Sequence, residues 1–192
     1  VDRVDPNQVH GPPDDGTPIE DYWGALVELR AEGKARAIGL SNHDRAQLDR
    51  AERVGHVDTL QPPFSLIRRD VAAAELPWCA THETGVIVYS PMQSGLLTGS
   101  FSAERVAALP DGDWRKSSPR FAGDALARSL ALADALRPIA LRHGVTVGAV
   151  AVAWTLAWPG VTGAIVGARR PSQVDGWLPA AIWAPYALSQ YK

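Results

Sequence analysis

Apolar residues along this chain fall into short continuous runs that alternate with longer stretches at helical spacing. The first apolar run ends at Val9 within Arg3 to Val9, and the loop Gly11-Pro12-Pro13-Asp14-Asp15-Gly16 follows by turn chemistry. Thr17 is then expected as an N-cap, Pro18 as the first helical residue and Glu20 as the capping-box partner. Trp23, Leu26, Val27 and Arg30 continue that helix, and Gly33 stops it. Ala35 to Leu40 reads as a buried strand, and Asp44 to Val54 as an amphipathic helix with Leu48 and Ala51 inward. Val57 to Leu60 is a short strand, Val71 to His82 a helix, and Val86 to Tyr89 a β-branched strand. Ser100 to Gly123 breaks the rhythm and is expected as a long surface loop with a short helix at Glu104 to Leu109. Asp124 to His143 is a long helix that Pro138 should kink. Val147 to Trp158 is another helix, Gly163 to Val166 a fifth strand, and Pro171 to Leu178 the start of a last helix.

Strict alternation of near-continuous apolar strands with helices predicts an α/β fold, a parallel sheet covered by helices. The pattern alone does not separate a barrel from a doubly wound sheet. Polar and aromatic groups collect just after the strands: His10, then Ser41-Asn42, Gln61, Tyr89-Ser90, and Gly167-Ala168-Arg169-Arg170. Parallel α/β folds bind ligands at the C-terminal ends of their strands, so these positions form the candidate site.

Composition narrows the function class. With 19 Lys and Arg against 21 Asp and Glu, interspersed, the net charge is −2. No long basic run points to nucleic acid or an anionic membrane. The longest apolar stretch, Val145 to Trp158, contains Thr146, Gly148 and Thr155 and is shorter than a membrane span. Cys79 is the lone cysteine, which fits a reducing cytoplasm and supplies neither a disulfide framework nor a thiolate metal site. His43, His56, His82 and His143 lack ligand spacing and are expected at the surface. Trp23, Trp78, Trp154 and Trp158 fall in helical sequence and read as core.

Five segments, taken in order, carry a family resemblance. Asp5-Pro6-Asn7-Gln8-Val9-His10 is similar to the aldo/keto reductase segment that ends in the catalytic histidine. Glu32 to Asn42 resembles the family's helix-strand-Ser-Asn motif, and Gln61-Pro62-Pro63-Phe64-Ser65 its Gln-containing strand end. Tyr89-Ser90-Pro91-Met92-Gln93-Ser94-Gly95-Leu96-Leu97-Thr98-Gly99 resembles the pyrophosphate segment, and Gly167 to Val174 the adenosine-phosphate loop. The resemblance implies a (β/α)8 barrel of TIM type, here an incomplete barrel of about five βα units over residues 1–181. It implies NADPH-dependent reduction of small aldehydes and ketones by reversible hydride transfer. His10 would orient the substrate carbonyl. Ser41, Asn42 and Gln61 would hold the nicotinamide carboxamide, with Tyr89 stacked on its ring. Ser90, Pro91, Met92, Gly95 and Leu97 would line the pyrophosphate side, and Gly167 would open the adenosine-phosphate loop. Arg169 and Arg170 would meet the 2′-phosphate and Gln173 the adenine.

Departures from the family pattern set expectations of their own. The Tyr, Lys and Asp that the resemblance implies beside the histidine occur at no matching motif, so an upstream segment is expected and the chain alone is expected to be inactive. Pro6 and Asn7 stand where the family has apolar or aromatic residues. Residues 182–192, with Ile182-Trp183-Ala184-Pro185-Tyr186, read as an atypical apolar tail. The alternative to an enzyme is therefore a truncated, non-catalytic fragment or a nucleotide-binding module of the same fold.

Overall fold

The computed structural model describes residues 4–182. Of the atypical tail, only Ile182 is among them; the rest of that expectation lies outside the described residues. The chain divides into two compact units. The first comprises residues up to 64 together with 68–89 and 159–165; the second comprises 65–67, 90–158 and the residues from 166 onward.

The first unit contains the whole sheet. Strands β1 (Asn7–Val9), β2 (Ile38–Ser41), β3 (Thr59–Gln61), β4 (Gly85–Tyr89) and β5 (Gly163–Ile165) lie side by side in sequence order. Every neighbouring pair is parallel. Helices α1 (Ile19–Ala31), α2 (Arg45–Val54) and α3 (Glu75–Thr81) fill the connections. Side chains of a strand alternate between faces, and the register shows what each face carries. Ile38, Leu40, Leu60, Val86 and Val88 share one face and are wholly buried, with α1 and α3 packed against the sheet. The opposite face carries Gln8, Gly39, Thr59, Gln61 and Tyr89. A sheet apolar on one side and hydrogen-bonding on the other is what places polar groups at its rim.

Several expectations shift in detail. Thr17 does not cap α1, because Asp15 takes both its backbone N–H, at 2.9 Å, and its hydroxyl, at 2.6 Å. Pro18 becomes the N-cap, and Glu20 bonds Arg50 at 2.8 Å instead of closing a capping box. The capping box forms at α2, where Asp44 and Gln47 exchange bonds of 2.8 and 2.9 Å. The helix expected from Val71 is divided: a 3-10 turn at Asp70–Ala72 precedes α3. Proline rings clash with the carbonyl four residues back, so Pro77 confines itself to the first turn of α3. Pro6 falls between an isolated Val4–Ala35 bridge and the first paired residue of β1, where no ladder bond is asked of it.

The second unit is helical. Helix α4 (Ala103–Ala107) is capped by Ser102, and α5 (Trp114–Ser117) by Asp113. The segment expected as a surface loop has its own small core, with Val106 and Phe121 buried against Leu96 and Leu126. Helix α6 (Gly123–His143) buries Leu126, Ser129, Ala133, Leu136 and Ala140, a stripe at three- and four-residue spacing. It continues through Pro138, which lies on its exposed side, away from that stripe. Gly144 ends it in the left-handed conformation at φ 61°. Helix α7 (Val147–Leu156) meets α6 at 93° and is buried on nearly every side. Trp158 lies beyond its end, and both Trp154 and Trp158 are half-buried rather than core. A short α8 (Ser172–Asp175) follows. Among the described residues, no single helix is long and apolar enough to cross a membrane.

Gly39 holds the polar face together by having no side chain. A Cβ there would lie 2.1 Å from Thr59 Oγ1 and 2.5 Å from the Thr59 carbonyl. The space it leaves lets Gln8 reach across β2 to Thr59, at 2.9 Å. Gly39→Ala is expected to lower stability by about 1–3 kcal/mol through overpacking, more than the same change at Gly11, where an added Cβ meets nothing. Urea unfolding of the two variants checks this; equal midpoints would show that the strands part without strain.

Candidate active site

The strand ends of the first unit bring five of the sequence-predicted residues together. Ser41 ends β2, Gln61 ends β3 and Tyr89 ends β4; His10 follows β1 and Asn42 follows β2. Asn42 sits in the left-handed region at φ 60°, which its short polar side chain tolerates better than most. From there its Nδ2 donates to the His10 carbonyl at 2.8 Å, and its Oδ1 accepts the Tyr89 hydroxyl at 2.8 Å. Its backbone N–H reaches the Gln61 carbonyl at 3.3 Å. One residue therefore ties the ends of β1, β3 and β4 to β2.

Ser41 is buried, and its hydroxyl donates to the Gln61 carbonyl at 2.7 Å. Gln61 Nε2 donates to Gln8 Oε1 at 2.6 Å, and Gln8 Nε2 donates on to Thr59. These bonds fix which end of the Gln61 amide is which. Gln8 was not singled out in the sequence, although a glutamine inside a short strand two residues before His10 was the available signal.

His43 is the larger surprise. Expected at the surface, it is 3% exposed. Its Nδ1 lies 2.8 Å from the Ser41 carbonyl, a contact that only a protonated Nδ1 can make. Its Nε2 lies 2.8 Å from the Tyr22 hydroxyl. Burial holds the imidazole below its usual 6.5 and so keeps it neutral, although the Ser41 bond and Asp44 oppose the shift. With Nδ1 carrying the proton, Nε2 accepts from Tyr22. Burial also raises the Tyr22 phenol, so the pair stays neutral at ordinary pH.

The remaining predicted residues belong to the second unit, where they form two groups. Met92, Gly95 and Leu97 lie on tight turns over Gln93–Thr98, and the N–H groups of Gly95 and Leu97 both donate to the Met92 carbonyl, at 3.1 and 3.2 Å. Ser90 precedes the turns at φ 57°, Pro91 is buried, and the Leu97 side chain lies wholly in the core. A Cβ on Gly95 would strike the Phe101 ring at 2.6 Å. Gly167, Arg169, Arg170 and Gln173 form the second group, all exposed. Gln173 Oε1 accepts from the backbone N–H of Arg169 at 2.6 Å and of Arg170 at 3.1 Å, which draws the loop onto the start of α8. Near it, Arg115 holds the Asp113 carboxyl down at about 2, with Arg169 adding to the effect.

Two other features stand apart. A cavity of about 300 Å³ beside the loop after β1 is lined by Pro12, Pro13, Tyr22 and Arg50 among others, and by none of the predicted site residues. Cys79 is buried, and burial pushes its thiol up to about 12, which leaves it unreactive. Among the described residues, no three His, Cys, Asp or Glu side chains are grouped to hold a metal ion.

A parallel sheet in sequence order with helices in its connections defines an α/β protein of barrel type, and the hydrogen-bonded polar cluster lies at the C-terminal rim of that sheet. The chain belongs to the aldo/keto reductase family, whose model matches residues 1–186. It is 33% identical over 184 residues to the aldo-keto reductase YhdN of Bacillus subtilis, covering 95% of this chain and 55% of that protein. It is 31% identical to a protein of Escherichia coli named NADH-specific methylglyoxal reductase, covering 82% and 47%. A solved glycerol dehydrogenase from Gluconobacter oxydans superposes with a TM-score of 0.84 at 32% identity, over all of this chain and 60% of that one. The chain thus spans about half the length of the curated relatives it matches.

A histidine that folds neutral is a source of acid sensitivity. Its folded value lies below its unfolded one, so its contribution is complete above about 6.5 and is lost as pH falls through the folded value. Urea midpoints measured from pH 7.5 to 5 should fall more steeply for the wild type than for His43→Asn. Parallel curves would assign the acid sensitivity to other groups.

Proposed function

We propose that this chain carries the cofactor-binding part of an NADP(H)-dependent carbonyl reductase, acting on small aldehydes or ketones by reversible hydride transfer. The observation that carries the reading is the bonded cluster of Ser41, Asn42, Gln61 and Tyr89 at adjoining strand ends. A nicotinamide carboxamide offers two N–H donors and one carbonyl acceptor. Gln61 has given one N–H to Gln8, which leaves its second N–H and its Oε1 to meet such an amide. Asn42 Oδ1 keeps one lone pair beyond the Tyr89 bond for the other donor. The Tyr89 ring, held through its hydroxyl, is a flat apolar surface fixed in place for stacking. The nicotinamide, when bound, supplies the hydride; these residues bind it, orient its face and exclude water.

His10 stands exposed beside this cluster, where it would orient the substrate carbonyl. In the second unit, Ser90, Pro91, Met92, Gly95 and Leu97 are assigned to the pyrophosphate side, and Gly167 and Gln173 to the adenosine side. Arg169 and Arg170 favour a 2′-phosphate, since guanidinium forks match phosphate oxygens, and on this reading the chain prefers NADPH although the Escherichia coli relative is named NADH-specific. A cytoplasmic site of action fits the single, buried, unreactive thiol.

Fluorescence titration is expected to show tighter binding of NADPH than of NADH. Arg169→Ala or Arg170→Ala should weaken NADPH binding by about tenfold and NADH binding far less. Equal effects on both nucleotides would reject the phosphate assignment.

Catalysis by the 192 residues alone is a separate question. The family's tyrosine acid, with its lysine and aspartate, occurs at no matching motif here, and a missing general acid costs about 10²–10⁴-fold. This favours the reading of a nucleotide-binding fragment for the chain by itself. NADPH oxidation with a reactive aromatic aldehyde should stay at background; turnover within about tenfold of a full-length relative would overturn that reading.

A further inference from the structure

We propose that His43 is a positioning residue for the candidate nicotinamide site, its tautomer set by the Ser41 carbonyl and its ring held from the other side by Tyr22; the inference rests on the function proposed above. The geometry runs as one chain of bonds from a helix to the strand rim. Helix α1 is anchored by Trp23, which is wholly buried and donates through Nε1 to the Gly55 carbonyl at 2.8 Å. One residue earlier, Tyr22 gives its hydroxyl proton to His43 Nε2. That acceptor exists only when the proton of the neutral ring sits on Nδ1, and Nδ1–H is the group that holds the Ser41 carbonyl.

The Ser41 carbonyl belongs to the peptide that leads into Asn42. Fixing its direction fixes the plane from which Asn42 enters its left-handed conformation. In that conformation Asn42 reaches both His10 and Tyr89. With the opposite tautomer, a bare nitrogen would face the Ser41 oxygen, while the Tyr22 hydroxyl could turn to accept from Nε2–H. One repulsive contact would replace the bond that holds Ser41, in a place where burial admits little water to relieve it. The bonds of His43 run to Tyr22 and Ser41, both in the first unit with the candidate nicotinamide residues, so its influence should be confined to the nicotinamide end.

That confinement gives the test. The full chain, with His43→Phe, His43→Asn and Tyr22→Phe variants, is titrated with NADPH and with 2′,5′-ADP, which lacks nicotinamide. His43→Phe keeps a flat ring but no donor and should weaken NADPH binding by about tenfold while 2′,5′-ADP binding stays within about twofold. His43→Asn offers an N–H near the place of Nδ1 and should recover most of the loss; Tyr22→Phe should lie between. Equal loss of both ligands would mean that His43 only supports the fold, and no loss of either would mean that the loop holds itself; each result overturns the inference alone. A wild-type chain that binds neither ligand overturns the function reading and this inference with it. Should His43→Phe not fold, ¹⁵N NMR of the wild-type imidazole decides: an Nδ1–H neutral ring whose Nε2 shift moves in Tyr22→Phe is the expected result, and an Nε2–H ring overturns it.

Discussion

The strand rim depends on one side chain that is both a bridge and a turn. Asn42 leaves β2 in a conformation that most residues resist, and its three bonds reach the ends of the neighbouring strands. Each bond is worth roughly 1 kcal/mol, so none alone explains the arrangement. Their sum exceeds the cost of the left-handed backbone, about 1–2 kcal/mol, and converts three loose strand ends into one surface. Local strain is kept where several contacts agree on it.

The same surface shows why a sheet with two unlike faces suits a ligand site. Ile38, Leu40, Leu60, Val86 and Val88 supply burial on one side and hold the strands in register. Once that side is secured, the other can carry amides and hydroxyls that contribute little to stability. Gln8, Thr59 and Gln61 satisfy one another across the strands, so their orientation is settled without a ligand. Pre-set donors and acceptors lose less freedom on binding than mobile ones do.

Much of this was legible in the sequence. The alternation of strand and helix predicts the parallel order, and the polar residues at the ends of the first four strands do lie together, because both follow from chain periodicity and short connections. What escaped depends on contacts distant in sequence. Thr17 has the chemistry of a cap, but Asp15 competes for its hydroxyl, and that competition cannot be weighed from residue types. His43 was judged by the absence of metal spacing, whereas its environment is made by Tyr22 on another element. The segment after Ser100 looked like a loop because it is polar and rich in turns; its few apolar residues close on Leu96 and Leu126 from outside it.

The Gln173 amide has a consequence for any anion that approaches the loop before α8. Its oxygen already occupies the backbone N–H groups of Arg169 and Arg170. A phosphate seeking those N–H groups meets an internal rival of fixed and very high local concentration, and must evict it or do without them. What the loop can offer at no such cost is its two guanidinium groups, whose attraction fades with salt. On the function proposed above, anion capture here would be governed by ionic strength first and by shape second, a soft grip in place of a moulded one.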